Sequence, residues 1–184
     1  MPSAIPIVTK PHPSVNYHIT PTYALTPAIA TSLLNAAQFV KPSWAADVIA
    51  HYAPVDTHDN IGKEYYIPLI SKHRPIFSPA LPSSLKNHHS WEPNEARAKM
   101  LKGHRVVFVG EKGREASEGY RELVKQGDGT YECCAVQGGR KALHDVLVKA
   151  QDKSTKICLV ADAPAMIAAV GQERWNEMVQ EAAR

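Results

Sequence analysis

The residues best spaced for chemistry lie in the run VVFVGEKGRE, where Gly110 and Gly113 separate a strand-like stretch from a helix-like one. A strand-to-helix turn of this kind can present backbone N–H groups to an anion. The run lacks the third glycine of G-x-G-x-x-G and the Gly-Lys-Ser/Thr of a P-loop. A tight turn is the plainer reading, with Gly110 and Lys112 kept as phosphate candidates. QGGRKAL sets Gly138 and Gly139 beside Arg140 and Lys141, and it too reads as a turn. Asp47, Asp56 and Asp59 lie near His51 and His58 in sequence. They straddle a helix end and a loop, where charged groups are usually solvated. There is no G-x-S-x-G elbow, no H-E-x-x-H and no carboxylate ladder suited to a metal. The expectation is a non-enzyme without catalytic residue, cofactor or metal. The rival is a small α/β enzyme binding a phosphorylated ligand at the Gly110–Gly113 turn.

The three cysteines, Cys133, Cys134 and Cys158, are an odd number, and no secretory signal precedes them. That pattern fits reduced thiols in the cytosol or nucleus. None belongs to a C-x₂-C pair, and all three read as small apolar residues of strands. The histidines are scattered, and NHHS at 87–90 reads as solvated loop. A net charge of +3 is too small to imply a nucleic-acid site. No apolar run approaches the ~20 residues of a membrane span.

The chemistry-bearing turns need elements to hold them. VNYHIT alternates Val15, Tyr17 and Ile19 with polar residues and reads as a short strand. In TPAIATSLLNAA, Thr26 is a candidate N-cap, and Pro27 sits at the first helical position, where its missing N–H costs nothing. Ile29, Leu33 and Leu34 share one face of that helix. QFVK is a very short strand. PSWAADVIAHY is a second helix, with Trp44, Val48 and Tyr52 in line. Strand, helix, strand is the unit of a parallel sheet.

Residues 53–100 are broken by prolines yet too apolar for a disordered spacer, which predicts an extended segment lying along folded surfaces. A second unit follows. RVVFVG, TYECCAV and TKICLVAD read as strands, the first buried on both faces and the last a third buried strand. EASEGYRELVKQ, GGRKALHDVLVKAQ and the final APAMIAAVGQERWNEMVQEAAR read as helices. Trp44 and Trp175 read as core residues that pin a helix to a sheet.

FVKPSWAADVI, a short strand, a proline turn and a helix that starts with Trp, resembles the ending of a BRCT repeat. The preceding VNYHITPTYALTPAIATSLLNAA looks like that repeat's third strand and second helix. Val40, Pro42 and Trp44 then carry the signature. The proline-rich linker followed by MLKGHRVVFVGEKG is similar to the tandem BRCT region of the nibrin family, its fungal members in particular. Gly138 and Gly139 look like the glycine pair of the second repeat.

The resemblance implies an α/β fold of small parallel sheets flanked by helices, in two units. It divides the chain into a disordered 1–14, half a first repeat over 15–54, a linker over 55–100 and a second repeat over 101–184. It implies a nuclear, non-catalytic interaction module in double-strand-break sensing and repair, checkpoint control and telomere maintenance. Its partners would be proteins of the break-repair complex, including phosphoprotein ligands, with no membrane and no direct nucleic-acid contact.

The chain departs from the family pattern. The strands and helix that open the first repeat have no counterpart, nor do the last strand and helix of the second. Ala28 falls where a phosphate-binding Lys is expected, and no Lys opens the helix at Ala163–Met166. The implied object is a partial chain, a fragment without independent function being one form of it, with little preference for a phosphorylated peptide. Trp44 would lid only part of a sheet, above Ile29 and Leu33. The expectation is a quenchable, red-shifted indole, with amides of 15–52 exchanging faster than those of 105–161. EYYIPLI and RPIFSPALP are the local segments that could fill the missing strand's place.

Overall fold

The computed structural model of the chain describes residues 7–10, 12–52, 66–113, 118–149 and 156–183. Residues 53–65, with Asp56, His58 and Asp59, and residues 1–6 of the expected disordered start lie outside them. The fold is α/β, with small parallel sheets packed against helices. The chain forms two compact units, Met1–Glu95 and Ala96–Arg184. No helix among the described residues is long and apolar enough to cross a membrane.

In the first unit β1 (Tyr17–Ile19) pairs in parallel with β3 (Gln38–Val40). The crossover between them holds α1 (Pro27–Leu34), whose first turn is capped as Thr26 Oγ1 accepts from the Ile29 N–H at 3.3 Å. Helix α2 (Pro42–Tyr52) follows β3 directly. Phe39 and Val40, both fully buried, point to opposite faces of β3, as a strand's period of two requires. Phe39 packs with Ile29, Tyr23, Leu81 and Trp91. Val40 packs with Trp44 and Val48. Ile29 and Leu33 therefore lie across β3 from Trp44, not beneath it.

The stretch read as a linker contributes to this unit's core. Strand β2 (Thr22–Tyr23) pairs in parallel with β4 (Ile76–Phe77). The Tyr23 ring stacks on Phe77 at 5.3 Å and lies 4.7 Å from Trp91. Trp91, 2% exposed, donates its indole N–H to the Leu85 carbonyl at 2.8 Å. It ends a short 3₁₀ turn, His88–Trp91, which Asn87 caps through the Ser90 N–H. The NHHS histidines thus divide. His89 is solvated, whereas the His88 ring lies 4.8 Å from Phe77.

In the second unit β5 (His104–Gly110) is central, flanked in parallel by β6 (Thr130–Ala135) and β7 (Lys156–Ala161). Val107 and Val109 face a core completed by Cys134, Val136, Leu143, Met166 and Met178. That core is closed by α4 (Gly139–Lys149), α5 (Ala163–Val170) and α6 (Gln172–Ala182). Phe108, on the other face, meets Tyr120 of α3 (Glu118–Gln126) at 5.6 Å. Two expectations change here. The closing helix is two helices, broken at Gly171 with φ +84°. Strand β7 is not buried, because it is an edge strand and all six of its residues are exposed.

Trp91 holds α1, β3, β2 and β4 around one cluster. Trp91→Ala is expected to cost roughly 3–5 kcal/mol, as for other large buried truncations. Trp175→Ala, at a half-buried position, is expected to cost less. Urea unfolding of the two variants checks the order.

Candidate functional site

Trp44 is the best-built of the sequence candidates. Pro42 opens α2, and the Lys41 carbonyl accepts the Trp44 N–H at 3.0 Å. The indole is 7% exposed, stacked on Tyr17 at 4.4 Å and packed on Val40 and Val48. Its ring N–H donates to the Pro68 carbonyl at 3.3 Å. An open, quenchable indole is therefore not what forms, because residues 66–73 strap along α2 and close over it.

The strap is fixed at several points. The Tyr66 N–H donates to Tyr52 Oη at 2.7 Å, and the Tyr66 ring stacks on His51 at 4.3 Å. Pro68 is buried, and Ile70 packs beside the indole. The His73 ring spans Ser43 Oγ at 2.9 Å and Asp47 Oδ2 at 3.2 Å. The His73 carbonyl accepts the Lys41 N–H at 2.7 Å. Asp47, grouped in sequence with other acids near histidines, is thus a partner of the strap. Pro68 and Ile70 belong to EYYIPLI, the segment whose apolar content marked it as able to lie beside Trp44. His73 has no such signal in the sequence.

The two glycine turns differ from cradles. Gly110 ends β5 opposite Ala135. The Lys112 N–H donates to Gln137 Oε1 at 2.8 Å, so a side chain of this chain already occupies that donor. The Lys112 side of the turn is exposed. A Cβ on Gly138 would meet Ala142 Cβ at 2.4 Å. Gly139 has φ +62°, a conformation that favours glycine, and a Cβ there would lie 3.0 Å from the Arg174 guanidinium. Arg174 in turn donates to the Gln137 carbonyl at 2.7 Å. Gly138 and Gly139 let α4 start close against its neighbours, and a cation of the same chain fills the space an anion would need. Asp162 caps α5 by accepting the Ala165 N–H at 3.3 Å, which sets a carboxylate at Ala163–Met166 in place of a Lys.

Arg140, next to the glycine pair, is engaged by its own chain although its side chain is half exposed. Its Nε donates to Glu181 Oε2 at 2.7 Å, and His144 Nδ1 lies 2.7 Å from Glu181 Oε1. Glu181 is 8% exposed. Hydrogen bonds from His144 and then Arg140 hold its carboxyl below the usual glutamate range, against the opposing effect of burial. The cluster ties α4 to α6. All three cysteines lie in strands and are free, with Cys134 buried and Cys158 exposed. Burial, then the nearby Glu132 and Cys133, push the Cys134 thiol up. Among the described residues no three His, Cys, Asp or Glu side chains gather as a metal site. No family model, no curated protein and no solved structure matches the chain.

Two outcomes follow from this geometry. With Trp91 and Trp175 replaced by Phe, Trp44 should emit in the blue and resist acrylamide, and Trp44→Ala should cost roughly 3–5 kcal/mol. The Glu181 pKa is depressed on folding, so its contribution is complete above the ordinary glutamate value. It is lost as the pH falls through the lower folded value. Glu181→Gln should lower the thermal midpoint near neutral pH and flatten that acid limb, as read by melts from pH 3 to 7.

Proposed function

We propose that this chain is a non-catalytic protein-interaction module, BRCT-like in fold and nibrin-like in role, acting in the nucleus on DNA double-strand breaks. The observation that carries this reading is Trp44. It follows Pro42 at the start of α2 and packs on the parallel strand β3 beside Val40, the arrangement the BRCT resemblance implies. The second unit adds a three-stranded parallel sheet with helices on both faces. Its glycine pair serves helix packing, as in a scaffold. The partners are proteins of a break-repair complex. Phosphate is not the main determinant of binding, because Gln137 and Arg174 occupy the donors and the space at the glycine turns.

Affinity capture of the tagged full chain from nuclear extract should recover subunits of a break-repair nuclease–ATPase complex, and Trp44→Ala should lose them. Phosphorylated and unmodified forms of any captured peptide should differ by less than about tenfold, or ~1.4 kcal/mol. A nucleotide panel in a thermal-shift assay should be flat. A ligand at 100 times its dissociation constant would stabilise by about 2.7 kcal/mol, and such a shift would favour a phosphate-binding enzyme instead.

A further inference from the structure

Strand β7 has the composition of an interior strand and the position of an edge. Among the described residues it pairs only with β5. Ile157, Leu159 and Val160 are 38%, 37% and 42% exposed, although Val107, next to Leu159 in register, is fully buried. Leu159 lies on the side of the α4–α6 core with Val107, and Val160 lies on the other side with Phe108. Both faces of the edge are thus apolar. Edge strands are usually guarded by charge, proline or a bulge. β7 has no proline, and its charges, Lys156 and the following Asp162, stand only at the ends.

The free hydrogen-bonding groups can be assigned. The Lys156 N–H donates inward to the Gly103 carbonyl at 2.8 Å. By strand alternation, Ile157, Leu159 and Ala161 turn their N–H and C=O groups outward.

We propose that β7 is a homodimerisation edge that pairs antiparallel with β7 of a second copy about a two-fold axis at Leu159. In this register Lys156 of each copy stands opposite Asp162 of the other, Ile157 opposite Ala161, and Cys158 opposite Val160. Leu159 meets its own equivalent. Each of the two charges finds its complement, and apolar residues meet apolar residues on both faces. Moving the axis to Val160 sets Asp162 against Cys158. Moving it to Cys158 sets Lys156 against Val160. Only the Leu159 axis matches charge with charge at both ends. The product is a continuous six-stranded sheet with the equivalent helices of both copies on the same sides. The contact is at the small end of specific interfaces, below about 1,200 Å² in total, so association is weak and reversible.

Sedimentation of the full chain from roughly 1 μM to 1 mM tests this, a range that covers weak association. A reversible monomer–dimer equilibrium is expected. Leu159→Lys, which sets two ammonium groups face to face at the axis, should leave the chain monomeric with an unchanged circular dichroism spectrum. Register is read by cross-linking. Val160→Cys should oxidise to a covalent dimer through Cys158 of the other copy, at a pairing distance suited to a disulfide. Val160→Cys with Cys158→Ser should not, and neither should the wild type. A chain that stays monomeric throughout overturns the proposal and leaves the edge to a strand of another protein. A dimer untouched by Leu159→Lys overturns it as well. Cross-linking of wild-type Cys158, or of Val160→Cys with Cys158→Ser, overturns the register.

Discussion

A parallel strand must be covered on both faces, because its crossovers bring helices to both sides of the sheet. Each unit satisfies this around one strand, β3 in the first and β5 in the second. β5 does so conventionally. Val107 and Val109 meet the α4–α6 core, and Phe108 meets α3. β3 has only three residues and two neighbouring helices. Phe39 and Val40 are nevertheless fully buried, since the proline-rich stretch supplies what the helices do not. Leu81 and Trp91 complete the Phe39 side, and Pro68 and Ile70 close the Val40 side over Trp44. The folding of the first unit therefore depends on contacts between segments far apart in sequence. Such contacts carry a loop-closure cost that local helices do not.

The prolines in this stretch are compatible with that role. They prevent helix and favour extended backbone, which can run over an existing surface and still present side chains to it. Between them, short 3₁₀ turns such as His88–Trp91 reverse the chain and turn one large residue inward. The indole N–H groups of Trp44 and Trp91 both end on backbone carbonyls, of Pro68 and Leu85. Each tryptophan thus satisfies its one polar atom while burying its ring, and fixes an otherwise irregular segment at a defined point.

What the sequence made legible follows from range. The helices α1 to α4, the strands β1, β3, β5 and β6, and the Thr26 cap could be read from period, composition and local chemistry, whereas α5 and α6 read as one helix because the break at Gly171 interrupts no apolar period. The two-residue strands β2 and β4 carry no period and were not read. Trp91 was missed because neither a helical nor a strand pattern surrounds it. β7 was read as buried because apolar composition reports what a strand could bury, whereas its place at the sheet edge depends on strand order. Among the site candidates, Trp44 was legible through its helix position and EYYIPLI through its apolar content as a segment that could lie beside it, but the contacts that fix the strap, a backbone carbonyl and His73, carry no sequence pattern. Asp47 was grouped with acids nearby in sequence, while its actual contact is His73.

The glycine turns show why motif and site separate. A Gly-rich strand-to-helix turn can bind an anion only if its donors and its volume are free. Here Gln137 takes the Lys112 N–H through its side chain and receives Arg174 on its carbonyl. One residue thereby links the Gly110–Gly113 turn to the start of α4 and to α6. Arg140 and His144 add a second tie between α4 and α6 at Glu181, beyond the glycine pair. Polar groups that could have formed a pocket instead fasten helices to one another. Among the described residues, donors at these turns are engaged by groups of the same chain. Recognition must then fall to surfaces whose hydrogen-bonding groups are not already used. Of the two edge strands of the second unit's sheet, β6 carries Glu132 along its length, whereas β7 has no charged residue between its ends and turns a regular row of backbone donors and acceptors outward.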